Sequence, residues 1–373
     1  MAISTKDREN WSSRYAHRPF QVLAIEPGIG HCTDRLFRQP DQRWGRDRRC
    51  PGPPDYPVTW RFALEEIEGS VQHAYAEALK ERIEERSDGR IEIDIFPYGS
   101  LGTSAQLTEL VRNGSISLAF ASPGHLANTI PEVGLFTLHY VLPDDAEVTR
   151  EILASAELLE LFESPYANQN MKLLGFVPEG WMAWTANKAL RSPEDFTGQR
   201  IRTMTSDMAE ETFRAYGAEP SQIPYSQVYS DLQLRKIDGQ SNPVFAIEEM
   251  DFYEVQTTMT LARPAQFVAS VVSNLDWYNA LPENQQQWLD NGLNDVAQIA
   301  WETQEELNQS RLEQMLEGGH MKVVRLTASE REAFQEVSMP VRDIYLERTG
   351  ESGRLILDRL QQLIEEMEAN KPE

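Results

Sequence analysis

Arg202 stands in Ile201-Arg202-Thr203-Met204-Thr205, a short run rich in β-branched residues that reads as a strand. Forty residues later comes Asp238-Gly239-Gln240-Ser241-Asn242-Pro243, a polar corner at the end of a helical pattern. A guanidinium is a planar fork that can donate to both oxygens of one carboxylate. An asparagine amide beside it can add a further hydrogen bond. The chemistry these residues suit is the capture of a carboxylate. Catalytic patterns do not compete with it. The four histidines after residue 56 (His73, His125, His139 and His320) lack the spacing of a His-Glu-x-x-His metal site. There is no Gly-x-Ser-x-Gly nucleophile elbow and no phosphate loop. Both cysteines, Cys32 and Cys50, lie in the first 56 residues. We therefore expect no enzyme, no metal and no cofactor.

The elements that would position Arg202 follow an α/β pattern. Val58, Trp60, Phe62 and Leu64 alternate as a strand, and Ser70 is placed to cap a helix carrying Val71, Tyr75, Leu79 and Ile83 on one face. Gly89 closes that helix, and Ile91, Ile93 and Ile95 form a second strand. Strand, helix, strand in this order implies parallel pairing. A helix over 105–111, a strand over 116–120 and the corner Ser122-Pro123 follow. A helix over 226–236, a Gly turn and the corner Asn242-Pro243 repeat that unit. Two similar α/β lobes account for the repeat, with ligand binding beyond the carboxyl ends of the strands, in a cleft between them. The pattern over 282–316 is helical for about 35 residues, against an ordinary length of ~10–14. At ~1.5 Å per residue it spans about 50 Å, enough to brace both lobes. A short strand near Val323 and a last helix over 354–367 end the chain.

Bulk properties exclude some partners. The net charge of −24 disfavours nucleic acid and anionic membranes. It favours a soluble monomer and suits a salt-rich, halophilic setting. No run reaches the ~20 apolar residues of a membrane helix. Residues 1–56 are set apart, with ten Lys/Arg against seven Asp/Glu and the run Pro51-Gly52-Pro53-Pro54. Their longest apolar run, Val22 to Ile25, is too short for a secretory signal. They read as a disordered tail, or as a misassigned start that has replaced a signal peptide. The body, 57–373, divides into a lobe of roughly 57–180 plus part of the C-terminal third and a lobe of roughly 181–275.

The runs at 201–205 and Val228-Tyr-Ser-Asp-Leu-Gln, together with Ile237-Asp-Gly-Gln-Ser-Asn-Pro, resemble the extracytoplasmic solute-binding subunits of TRAP transporters, the DctP type. Trp60-Arg-Phe-Ala-Leu-Glu-Glu, Pro178-Glu-Gly and Ser192-Pro-Glu-Asp-Phe extend the likeness over about 57–370, and within the family it points to the ectoine-binding members. The resemblance implies a two-lobed, periplasmic-binding-protein-like protein outside the cytoplasm. It would capture an ectoine-like zwitterion or a monocarboxylate organic acid for sodium-driven uptake by membrane permease subunits. It implies that Arg202 holds the carboxylate, that Asn242 supports it, and that Glu66 holds a cationic ring. Tyr225 and Phe267 fall on positions that line such pockets. His125 and Ala246 fall on two more, where other members carry aromatics. Met182 stands where many dicarboxylate- and sugar-acid-binding members carry a second arginine, which implies a ligand with one carboxylate.

Several of these residues also have plainer readings. Glu66 lies in the acidic run 65–68, Asn242 can simply shape a turn, and Tyr225 and Phe267 suit a core. Trp181 and Trp184 are three apart, so on a strand they face opposite sides and default to packing. The competing functions are a two-lobed sensor of organic acids and an enzyme working through carboxylates or tyrosine alone.

Overall fold

The computed structural model describes residues 57–319 and 321–369. The N-terminal extension and His320 lie outside them.

Ten strands form two sheets that share one long strand. They are β1 (Val58–Ala63), β2 (Ile91–Phe96), β3 (Leu118–Ala121), β4 (Met171–Ala186), β5 (Arg200–Thr203), β6 (Glu219–Gln222), β7 (Gly239–Pro243), β8 (Thr258–Leu261), β9 (Gln266–Asn274) and β10 (Lys322–Arg325). The strand order is β2-β1-β3-β9-β4-β7-β5-β6, with β8 joining β4 to β10. β1 runs parallel to β2 and β3, as the strand–helix–strand pattern requires. β4 pairs antiparallel with β9 through its first two-thirds and with β7 and β8 through its last third. It thereby carries the chain from the first sheet into the second.

Each sheet has its own core. Trp60, Phe62, Phe120 and Val271 pack under the helix Val71–Arg86 in the first lobe. Trp184, Phe196, Ile201 and Phe213 pack together in the second. Trp184 is a core residue, as its sequence position suggested, and Trp181 stacks under the Arg263 guanidinium at 4.6 Å. The helix Glu283–Glu317 is 35 residues long and contributes to both lobes. Leu289, Leu293 and Val296 join the first core, and Leu312 and Met315 join a cluster in the second. Gly292 lets this helix lie directly on Leu79 and Ile83, since a Cβ there would meet both at about 3 Å.

The boundaries differ from the sequence reading in three places. The expected helix over 226–236 is a 3-10 turn, Tyr225–Gln227, followed by Val228–Gln233. Arg235 adopts a left-handed conformation (φ 55°) and ends it. The third strand begins at Leu118 instead of 116. The last helix starts earlier, at Val341, and is broken at Gly350, whose φ of 62° and ψ of −135° are non-helical. Sequence periodicity registered only the part beyond that break.

Candidate functional site

Both polar-Pro corners deliver side chains to one pocket. β3 ends at Ser122-Pro123 and continues into the short helix Pro123–Leu126, which carries His125. β7 contains Asn242-Pro243 and continues into Val244–Glu249, which carries Phe245 and Ala246. All six residues proposed from sequence (Glu66, His125, Arg202, Tyr225, Asn242 and Phe267) line this pocket, which encloses about 440 Å³ of atom-free space.

Arg202 lies on β5, between β6 and β7. Ile201 beside it points into the second lobe's core, which turns Arg202 to the pocket face. Only 2% of Arg202 is exposed. Its Nε donates to the Ile223 carbonyl at 2.9 Å, and its guanidinium lies 6.0 Å from the Tyr225 ring centroid. Its Nη1 is buried and has no hydrogen-bond partner among the described residues. Burial pushes the guanidinium down to about 10, so it stays charged at neutral pH. A buried cation with an unused donor is costly, and such groups call for a partner.

The first lobe supplies the opposite charge. Glu65 and Glu66 follow β1 and are nearly buried. The Glu65 carboxyl group accepts the Ser122 backbone N–H at 2.8 Å. The Glu66 carboxylate accepts the backbone N–H of Gln72 at 3.4 Å, in the first turn of Val71–Arg86, where the helix dipole favours an anion. The Gln72 side chain ties the group together. Its carbonyl accepts from the Glu65 N–H at 2.8 Å, and its amide donates to Glu179 at 3.0 Å. Glu179 precedes Gly180 at a bulge in β4. Gly180 has φ 133°, and an added Cβ would collide with the Asn308 amide. Asn308, on the long helix, holds both sides by donating to the Glu179 carbonyl at 2.9 Å and accepting from Phe245 N–H at 3.2 Å.

Burial pushes the Glu65 carboxyl up to about 8. Burial also raises Glu66, and raises Glu179 further because Glu66 faces it. Contact between the two carboxyls works against the rise at Glu66 and adds to it at Glu179, so Glu179 is the one that holds its proton more firmly. The acidic side therefore carries less charge than its number of carboxyls and can gain more when a cation arrives.

Tyr225 closes the pocket between the lobes. Its ring meets Tyr98 edge-on at 5.8 Å and Phe252 at 6.1 Å, and its hydroxyl donates to the Ala246 carbonyl at 3.3 Å. Phe267 lies on β9 opposite Gly180. His125 is held neutral, pushed down to about 4 by burial and then by Arg202. Asn242 lines the same pocket as Arg202. Its amide donates to the side-chain oxygen Oε1 of Gln240. β7 stays extended here, so Gln240 and Asn242 share a face, and Gln240 is the residue in register with Arg202.

The matches to known proteins agree with this architecture. The family model for bacterial extracellular solute-binding proteins, family 7 (DctP), matches residues 62–348. The chain belongs to this family. A TRAP periplasmic solute-binding protein from Marinobacter aquaeolei, solved in an apo open state, is 58% identical, with a TM-score of 0.78 over 81% of this chain and 99% of that one. The ectoine-binding periplasmic protein TeaA of Halomonas elongata is 34% identical over 82% of this chain and 89% of its own length. The ectoine/5-hydroxyectoine-binding periplasmic protein UehA of Ruegeria pomeroyi is 34% identical over 81% and 89%. A two-lobed family member is a solute-binding protein, which accords with a pocket built from both lobes.

The sequence reading missed Glu65, Gln72, Glu179, Ser122 and Phe245, which also line or support the pocket. Glu65 and Glu179 stood in plain view, in the acidic run and in Pro178-Glu-Gly. Nothing in one sequence shows that β4 brings Glu179 to Glu66. Met182 lines a neighbouring, mostly apolar cavity with Phe136 and Val268, across Met204 and Phe267 from the arginine.

Proposed function

We propose that this protein is the extracytoplasmic solute-binding subunit of a TRAP-type transporter. It captures a small zwitterion with one carboxylate and one delocalised cation, of the ectoine type, and works as a monomer in the periplasm. It hands the solute to membrane permease subunits. The observation that carries the ligand reading is the pairing within one pocket of a buried Arg202 with a free Nη1 and the Glu65–Glu66–Glu179 carboxyls.

The carboxylate takes the Arg202 donors, and the cationic ring lies against Glu66 between the Tyr225 and Phe267 rings. Asn242 supports the pocket through Gln240. Closure of the lobes removes water and strengthens both charge-assisted contacts. Met182 supplies no second cation, so a dicarboxylate would leave one charge uncompensated.

The test is isothermal titration of ectoine, propionate and succinate against the parent and Glu66→Gln. The parent should bind ectoine best and succinate worst. Glu66→Gln should weaken ectoine at least tenfold more than propionate, as expected for loss of about 1.5–3 kcal/mol of charged hydrogen bonding. Equal losses for ectoine and propionate would remove Glu66 from the cationic end.

A further inference from the structure

His125 presents a ring whose hydrogen-bonding roles are fixed by its neighbours. The Thr205 hydroxyl lies 2.7 Å from His125 Nδ1 and also 3.0 Å from the Gly124 carbonyl. A carbonyl can only accept, and a hydroxyl has one proton, so Thr205 donates to Gly124. Nδ1 must then carry a proton and donate to Thr205 Oγ1. Nε2 is left with a lone pair. It has no protein partner among the described residues, and the ring lines the pocket.

The surroundings hold this arrangement in place. Gly124 packs so tightly on Met204 that a Cβ would collide with it. Asn128 Nδ2 donates to the Thr205 carbonyl at 2.9 Å, which ties the two segments together. The nearby Arg202 cation opposes protonation of the ring, so the acceptor survives. Beside the carboxylate hook, the pocket therefore offers an acceptor as well as donors. A carboxylate has no proton to give it, and Glu66 engages the N–H groups of a cationic ring. The remaining donor is a hydroxyl.

We infer that the solute carries a hydroxyl close to its carboxylate, and that His125 Nε2 accepts its proton. His125 is thus a specificity-determining residue that selects hydroxylated over unhydroxylated carboxylates. The inference rests on the reading of Arg202 as the carboxylate site and deepens it.

The test is isothermal titration of two matched pairs, 5-hydroxyectoine with ectoine and lactate with propionate. The parent, His125→Phe and His125→Gln are compared, with melting curves confirming that each is folded. The parent should prefer the hydroxylated member of a binding pair by about fivefold to tenfold, the range of one hydrogen bond. His125→Phe should bring the ratio to about 1, and His125→Gln, whose amide oxygen can accept, should restore part of it. A parent ratio near 1, or a ratio unchanged in His125→Phe, overturns the inference. If only lactate and propionate bind and their ratio follows His125, the zwitterion reading fails while the role of His125 stands. Failure of both pairs to bind overturns the inference and the carboxylate site together.

Discussion

Replacing Arg202 with methionine separates binding from folding. Arg202 is 2% exposed, and burial lowers its pKa from 12.5 to about 10. At 1.36 kcal/mol per unit, burial disfavours the charged form by on the order of 3 kcal/mol. In the empty protein this cost has little return, since Nε–Ile223 is its one hydrogen bond among the described residues and Nη1 has none. Methionine fills much of the same volume without a charge. Empty Arg202→Met should therefore melt at the parent temperature or a few degrees above it. Binding should respond in the opposite direction. A carboxylate closed into the pocket without its cation costs about 3–5 kcal/mol, a loss of about two to four orders of magnitude in affinity. Calorimetric melting of the empty protein and isothermal titration with the solute read the two effects separately. A melting point several degrees lower with affinity unchanged would refute the reasoning and make Arg202 a structural residue.

Two further outcomes follow from the acidic side and the bulge at Gly180. Glu65 holds its proton to about pH 8 in the folded state, whereas the unfolded chain releases it near 4.5. The stability this group contributes is therefore complete below about 4.5 and is lost as pH rises to about 8. Glu65→Gln should flatten that slope in urea midpoints taken at pH 5, 6.5 and 8, and a slope equal to the parent's would contradict the assignment. Gly180→Ala places a Cβ at φ 133° against the Asn308 amide. It should cost about 1–3 kcal/mol in urea unfolding, and an unchanged midpoint would show that the bulge relaxes freely.

Local chemistry made much of this protein legible. Ser70 does cap the first long helix, accepting the His73 N–H. The Ile91-Ile93-Ile95 alternation does form a strand parallel to the first. The 35-residue apolar pattern does form one helix serving both lobes. Arg202 was visible because a buried-strand arginine is chemically out of place. What escaped notice depends on long-range pairing. β4 and β9 are buried on both faces, and β4 is shared between the sheets, so they lack the alternation that marks a half-buried strand. Glu179 reaches Gln72 across 107 residues of sequence, through a bulge that no local pattern encodes. The contact of Asn242 with Gln240 was not legible for a related reason. Its neighbour depends on whether the corner turns or stays extended, and β7 stays extended until Pro243.

The central claim is that one solute spans Arg202 and Glu66. A crystal structure of the protein with its bound zwitterion tests this most directly. The account predicts a carboxylate oxygen about 2.7–2.9 Å from Arg202 Nη1, with the cationic group against Glu66. A bound solute whose carboxylate lies elsewhere, with Nη1 still unpartnered, would contradict it.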